Sequence, residues 1–267
     1  MRGVILNDTD RQFLEFLAGQ GVASFAQAEE HFYFKYSAPR CRINKLVRSG
    51  YLETRSIGEV FKRGRGKARK GNESCLARSS VATPFPSPAY FPYLLGLNLR
   101  PTSKILLLSD DYRRQLNLTN KLMNRALFMH QLMLNEVRVF IESKIDESPI
   151  LNDPKLQILS DIHADRLQEF TPDLSIEAGD YVVAIEMERT QKAFQAYASR
   201  LNFYLDSAYT HIIYYYSSER HLRSFIKYVG PERRVAFAHY LKPNELLSPA
   251  WGIVDFHSFV DKVRHIL

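Results

Sequence analysis

Residues 171–192, TPDLSIEAGDYVVAIEMERTQK, constrain the chain more than any other stretch. Pro172-Asp173 opens a short segment, Leu174-Ser175-Ile176, that is apolar at every second position. Ala178-Gly179-Asp180 has turn chemistry. Tyr181 to Glu188 then reads as a second strand, rich in β-branched residues and closed by Glu186 and Glu188. Side chains alternate along a strand, so these two carboxylates share a face. Pairing of the two strands through the Gly179 turn brings Asp173, Glu186 and Glu188 to one end of a hairpin. Carboxylate oxygens clustered in this way suit a hard divalent cation, Mg²⁺ or Mn²⁺.

Pro-Asp followed by a strand ending in an acidic-x-acidic triplet resembles the core of the PD-(D/E)XK nucleases. Their topology of helix, three strands, helix and strand is matched by the pattern of this chain. Asn120–Ser143 is a long helical pattern, and Leu156–Ser160 is a first strand. Phe194–Ser207 is the later helix, followed by the apolar strand His211–Tyr216. Over most of its length the chain resembles the replication-relaxation family of plasmid and mobile-element proteins. That resemblance implies an α/β (α+β overall) protein: a winged-helix DNA-binding domain over 1–116, then a restriction-endonuclease-like αβββαβ domain over 117–267. It also implies a role in DNA replication, relaxation or mobilisation, with metal-dependent DNA nicking as the chemistry. Asp173 and Glu186 would hold the metal, and Glu188 would be a third ligand or the base for an attacking water. The usual third element of the PD-(D/E)XK nuclease pattern is lysine, and here that position is Glu188. Either Glu188 holds a second metal ion, or Lys192 brings the missing ammonium from the start of the next helix; in a third reading the cluster is silent.

The N-terminal segment reads as three short helices and a strand. Asn7 to Asp10 caps a helix with the stripe Phe13, Leu14, Phe16 and Leu17, stopped at Gly19-Gln20-Gly21. Ser24 caps the second, and Ser37-Ala38-Pro39 opens the third, with Ser37 as cap and Pro39 in the first turn. Ile43, Leu46 and Val47 face inward on the third helix. Arg40, Asn44 and Arg48 recur every four residues on another face, beside Arg42 and Lys45. This is the winged-helix order, in which the third helix is suited to the major groove. Tyr51–Thr54 is the following strand. The segment Phe61–Gly71 stands where a wing belongs and carries six cations and no acid: Lys62, Arg63, Arg65, Lys67, Arg69 and Lys70. Such a loop suits phosphates or a minor groove. Thr83–Pro101, rich in proline and aromatics, reads as an ordered crossing loop. Lys104–Ser109 completes the small sheet, and Asp110–Leu116 is a short helix.

The longest helix carries His130, which reads as a packed or hydrogen-bonded core histidine, and Glu136, an acid placed where nuclease cores of this type often carry one. On the Phe194 helix, the aromatics read as core and Arg200 as a solvated arginine within reach of a phosphate. Val235–Tyr240 and Trp251–Asp255 extend the sheet, and Asp255–Ile266 closes the chain as a helix. A net charge of +7 suits double-stranded DNA as the partner. The protein partner would be a second copy or a relaxase or replication protein. Cys41 and Cys75 form no CxxC pair, and no apolar run reaches the ~20 residues of a membrane span. With no signal-peptide core in MRGVILNDTDRQ, a cytoplasmic, membrane-free protein is expected. Two other classes fit the same residues: a catalytically inactive accessory factor that docks DNA, and a transcriptional regulator whose C-terminal domain senses a ligand or dimerises.

Overall fold

The computed structural model describes residues 4–57, 103–118, 125–145, 157–160, 170–188, 194–218 and 225–264. The basic segment Lys62–Lys70, the proline- and aromatic-rich loop Thr83–Pro101 and Lys192 lie outside these described residues. The protein is mixed α/β, and its described strands form two sheets. It divides into two compact units, Met1–Met129 and His130–Leu267. The division falls inside the long helix, some way beyond the expected boundary at 116/117.

In the first unit, helix α1 (Asp8–Gln20) opens on a capping box: the Asn7 side chain accepts from the Asp10 N–H, and Asp10 accepts from the Asn7 N–H. It ends at Gly21, whose φ of 79° is the left-handed turn that favours glycine. Strand β1 (Ala23–Ser24) leads into α2 (Phe25–Gln27), capped reciprocally by Ser24 and Gln27, and then into a π-helical turn, Ala28–Phe32. Helix α3 (Pro39–Arg48) has Pro39 in its first turn. Its cap position is Ala38 rather than Ser37, with no side-chain capping bond. Strands β2 (Leu52–Ser56) and β3 (Lys104–Leu108) complete an antiparallel sheet of order β1-β3-β2. Ser109 caps the short helix α4 (Asp110–Gln115). Phe13, Leu17, Tyr33, Ile43, Leu46 and Ile105 are fully buried or nearly so and form the centre of the unit.

One charge is buried with them. Asp10 has no exposed surface, and it accepts hydrogen bonds from the Tyr33 hydroxyl (3.1 Å) and from Arg42 Nε (3.0 Å), with Arg42 Nη2 also in contact. Arg42 donates further to the Ile5 carbonyl at 2.8 Å. Burial pushes the Asp10 pKa up, but Arg42, the Asn7 N–H and Tyr33 outweigh it, and the net shift is downward. The bridge ties α1 to α3.

The second unit takes in α5 (Arg125–Ile145) from His130 onward and builds a seven-stranded sheet of order β10-β9-β8-β7-β6-β5-β4. Strands β4 (Gln157–Ser160), β5 (Leu174–Ala178) and β6 (Tyr181–Glu188) form an antiparallel meander. Helix α6 (Phe194–Asp206) then crosses over so that β7 (His211–Tyr216) lies parallel to β6, and β8 (Val235–His239) is parallel to β7. Two expected segments, Val235–Tyr240 and Trp251–Asp255, are seen as β8 and β10 (Gly252–Val254), with an additional strand, β9 (Leu246–Ser248), between them. The closing helix is α7 (Phe256–Arg264), whose first turn is held by Asp255 accepting from the Ser258 N–H at 2.8 Å.

Strand β7 is buried at every position because both faces of the sheet are covered. On one face Ile212, Tyr214 and Tyr216 pack against Tyr197, Leu201 and Tyr204 of α6. On the other, the His211 ring meets Phe259 and the Val260 carbonyl of α7. No helix among the described residues is long and apolar enough to cross a membrane.

Removal of the Arg42 guanidinium leaves the Asp10 carboxylate buried without its cation. Arg42→Met is therefore expected to cost about 3–5 kcal/mol, read as a lower urea midpoint. The double variant Asp10→Asn/Arg42→Met recovers part of that loss.

Candidate functional sites

The hairpin of β5 and β6 assembles the acidic cluster. The register pairs Leu174 with Ile185, so one residue further out Asp173 stands across from Glu186. Asp173 Oδ2 accepts the Met187 N–H at 2.7 Å, which fixes the carboxylate at the strand entry. Its other oxygen, Oδ1, lies 3.1 Å from His130 Nε2 on α5. His130 thus holds an acid of the cluster, and its reading as a hydrogen-bonded histidine captured the bond but not the partner. Glu136, also on α5, is half-buried.

Glu186 and Glu188 point to the α6 face of the sheet, with only 1% and 2% of their surfaces exposed. Both meet the same guanidinium: Arg200 Nη1 is 2.5 Å from Glu186 Oε2 and 3.7 Å from Glu188 Oε1. One helical turn later on α6, the Tyr204 hydroxyl donates to Glu186 Oε1. The Arg200 guanidinium also lies 5.7 Å from the Phe170 ring centroid. Arg200 and Tyr204 stand four residues apart, the spacing that puts two side chains on one helix face. That spacing was the signal in the sequence, hidden because the aromatic stripe of α6 explains itself as core.

The electrostatics follow from the burial. Glu186 is raised to about 8, by desolvation first and by the Asp173 charge second, with Arg200 and Tyr204 pulling the other way. Asp173 is likewise penalised by burial, but the His130 charge and hydrogen bond, the Met187 N–H and Arg200 outweigh it, so its pKa is lowered. Burial also opposes the Arg200 charge, yet Glu186, Tyr204, Glu188 and Asp173 together raise its pKa. On β7, in register with Glu186 and Glu188, stand Tyr214 and Tyr216. Both hydroxyls are buried and have no hydrogen-bond partner among the described residues. Desolvation and the two glutamate charges push both pKa values upward.

Carboxylates are the donors that Mg²⁺ or Mn²⁺ takes. Here, however, Asp173 is committed to a backbone N–H and an imidazole, and both oxygens of Glu186 are taken by α6. Among the described residues, no group of three or more His, Cys, Asp and Glu side chains is arranged to hold a metal ion. As folded, the donor set is arranged around a guanidinium and does not fit an ion.

In the first unit, the five candidate residues of α3 separate into two kinds. Arg42 is drawn into the fold by Asp10. Arg40 is exposed and bonds Glu29 at 2.5 Å. Asn44, Lys45 and Arg48 are exposed, on the side away from the buried Ile43 and Leu46.

No family model, curated protein or solved structure matches this chain. The resemblance drawn from its motifs therefore rests on its own residues.

The raised Glu186 pKa has a sign that can be measured. Between the ordinary value of 4.5 and about 8, folded Glu186 keeps a proton that the unfolded chain has released. The folded state binds more protons across that window, so this group's stabilisation is present at pH 4.5 and is lost as pH rises to 8. Relative to Glu186→Gln, the wild type should lose thermal stability steadily from pH 5 to 8, read by calorimetry.

Proposed function

We propose that the protein binds DNA through a winged helix and acts on plasmid or mobile-element DNA, in replication, relaxation or mobilisation. The observation that carries this reading is the first unit's element order, α1-β1-α2-α3-β2-β3, with the sheet order β1-β3-β2. That order leaves α3 with a buried apolar side and an exposed side bearing Asn44, Lys45 and Arg48. Asn suits adenine and Arg suits guanine in the major groove, while Lys45 is suited to a phosphate. The basic segment 62–70 stands in sequence between β2 and β3, where a wing would extend the interface. The C-terminal unit is read as restriction-endonuclease-like. Its support is the order α5-β4-β5-β6-α6-β7 and the acids Asp173, Glu186 and Glu188 at one end of the β5–β6 hairpin.

Each of Asn44→Ala and Arg48→Ala should reduce discrimination at one base position by about 1–3 kcal/mol. The measurement is fluorescence anisotropy on the selected site against random DNA; equal losses on both would remove α3 from base readout. Replacing the six cations of 62–70 by serine should flatten the plot of log K against log salt by about 5, from ~0.9 per phosphate. An unchanged slope would move the phosphate contacts elsewhere.

A second reading, metal-dependent nicking, rests on the register that brings Asp173, Glu186 and Glu188 to one end of the β5–β6 hairpin, and it requires the Glu186 oxygens held by Arg200 and Tyr204 to be released. Supercoiled plasmid with Mg²⁺ or Mn²⁺ tests it. Nicking lost in Asp173→Ala and Glu188→Ala but kept in Lys192→Ala assigns the third role to Glu188. Nicking lost in Asp173→Ala and Lys192→Ala assigns it to Lys192. Intact DNA binding with no nicking under either metal leaves the accessory factor.

A further inference from the structure

In the first unit an acid stands against the exposed side of α3. Arg40 is the second residue of α3, and Glu29 lies in the π-helical turn Ala28–Phe32. Arg40 Nε donates to Glu29 Oε1 at 2.5 Å, across the connection between the two elements. That connection is pinned from inside. Tyr33 is buried and donates to Asp10. Tyr36 packs on the Tyr33 ring, with 5.4 Å between centroids, and its hydroxyl accepts from the Asn7 amide at 2.7 Å. The elements that carry Glu29 and Arg40 are thus held in place relative to each other.

Arg40 begins the face of α3 on which Asn44 and Arg48 follow at intervals of four, the spacing of one helix side. The first turn of α3 holds no acid of its own. Among the described residues Lys45 and Arg48 have no acid partner, whereas Arg40 does. Stability is a poor reason for the pair. The Arg40 side chain is 73% exposed and that of Glu29 25%, and an exposed ion pair contributes little. Arg42, by contrast, is spent on the fully buried Asp10. What the exposed pair changes is what Arg40 offers a polyanion. Sequence-independent affinity for DNA follows the number of phosphates that cations neutralise. A guanidinium bonded to a carboxylate must give up that bond to meet a phosphate, and the carboxylate left behind faces the phosphates with like charge.

We propose that Glu29 withholds Arg40 from DNA phosphates and so acts as a brake on sequence-independent binding by the α3 face. Arg40 is then a latent phosphate contact, and discrimination is left to Asn44 and Arg48. The proposal rests on the winged-helix DNA-binding reading and deepens it by naming the acid that limits it.

The test uses the full chain and a short random-sequence duplex, with binding read by fluorescence anisotropy over a series of salt concentrations. Wild type is compared with Glu29→Ala, Arg40→Ala and Glu29→Ala/Arg40→Ala. Glu29→Ala is expected to bind about two- to fivefold tighter, the worth of an exposed ion pair that no longer competes. It should also steepen the plot of log K against log salt by about 0.9, one phosphate. Arg40→Ala alone keeps the wild-type slope, and the double variant returns to it. A Glu29→Ala slope equal to that of wild type overturns the proposal. So does a loss of about 0.9 of slope in Arg40→Ala, since Arg40 is then already on a phosphate in the wild type. A gain that survives in the double variant overturns it too, because that gain comes from the field of Glu29 and not from Arg40. A wild type that binds no duplex overturns the winged-helix reading and the proposal with it; binding without these slope changes removes the proposal alone. Should Glu29→Ala fail to fold, judged by its melting curve, Glu29→Gln takes its place with the same expected steepening, and an unchanged slope there overturns the proposal.

Discussion

The second unit depends on how a carboxyl is kept inside a buried sheet face that it shares with Ile212, Tyr214, Tyr216 and Phe237. Glu186 is 1% exposed, and an uncompensated charge there would cost several kcal/mol. Three devices offset that cost. Arg200 and Tyr204 reach Glu186 from α6, and its raised pKa lets it hold a proton. These demands fix the rotation of α6 about its axis, because only one phase aims positions 200 and 204 at the strand while Tyr197 and Leu201 enter the core. The packing of α6 and the chemistry of the cluster are therefore one constraint.

The first unit solves a related problem differently. Asp10 is buried, but its pKa falls, since Arg42, the Asn7 N–H and the Tyr33 hydroxyl all favour the charged form. The ion pair uses one cation of α3 to join α1 to α3, leaving Asn44, Lys45 and Arg48 exposed. A basic helix is thus divided into a structural arginine and a set of accessible groups, and only the latter can meet a polyanion. A cluster around Arg200 and a helix divided by Arg42 are different uses of one residue type: both guanidinia are spent on carboxylates that the fold has taken out of water.

Much of this was legible along the chain. The period of two in β6 put Glu186 and Glu188 on one face, and the structure has both meeting Arg200. Caps at Asn7 and Ser24 announced their helices, since a side-chain oxygen satisfying a first-turn N–H is a local event. The miss at Ser37 is of the opposite kind: Pro39 begins the helix one residue too late for Ser37 to be the cap. β9 escaped notice because three residues carry no usable periodicity, and it is a strand only through its pairing with β10 and β8.

What the sequence alone determined were the local things: strand and helix periods, turns, caps, the convergence of three acids at a hairpin end, and the basic face of α3. The tertiary structure decided which charges were partners. Arg200 is 14 residues from Glu186, beyond a helix start, and Arg42 is 32 from Asp10. Nothing in a local pattern ranks those pairings above a solvated side chain. They arise because burial removes water from the carboxylate, and the nearest guanidinium becomes the group that must replace it.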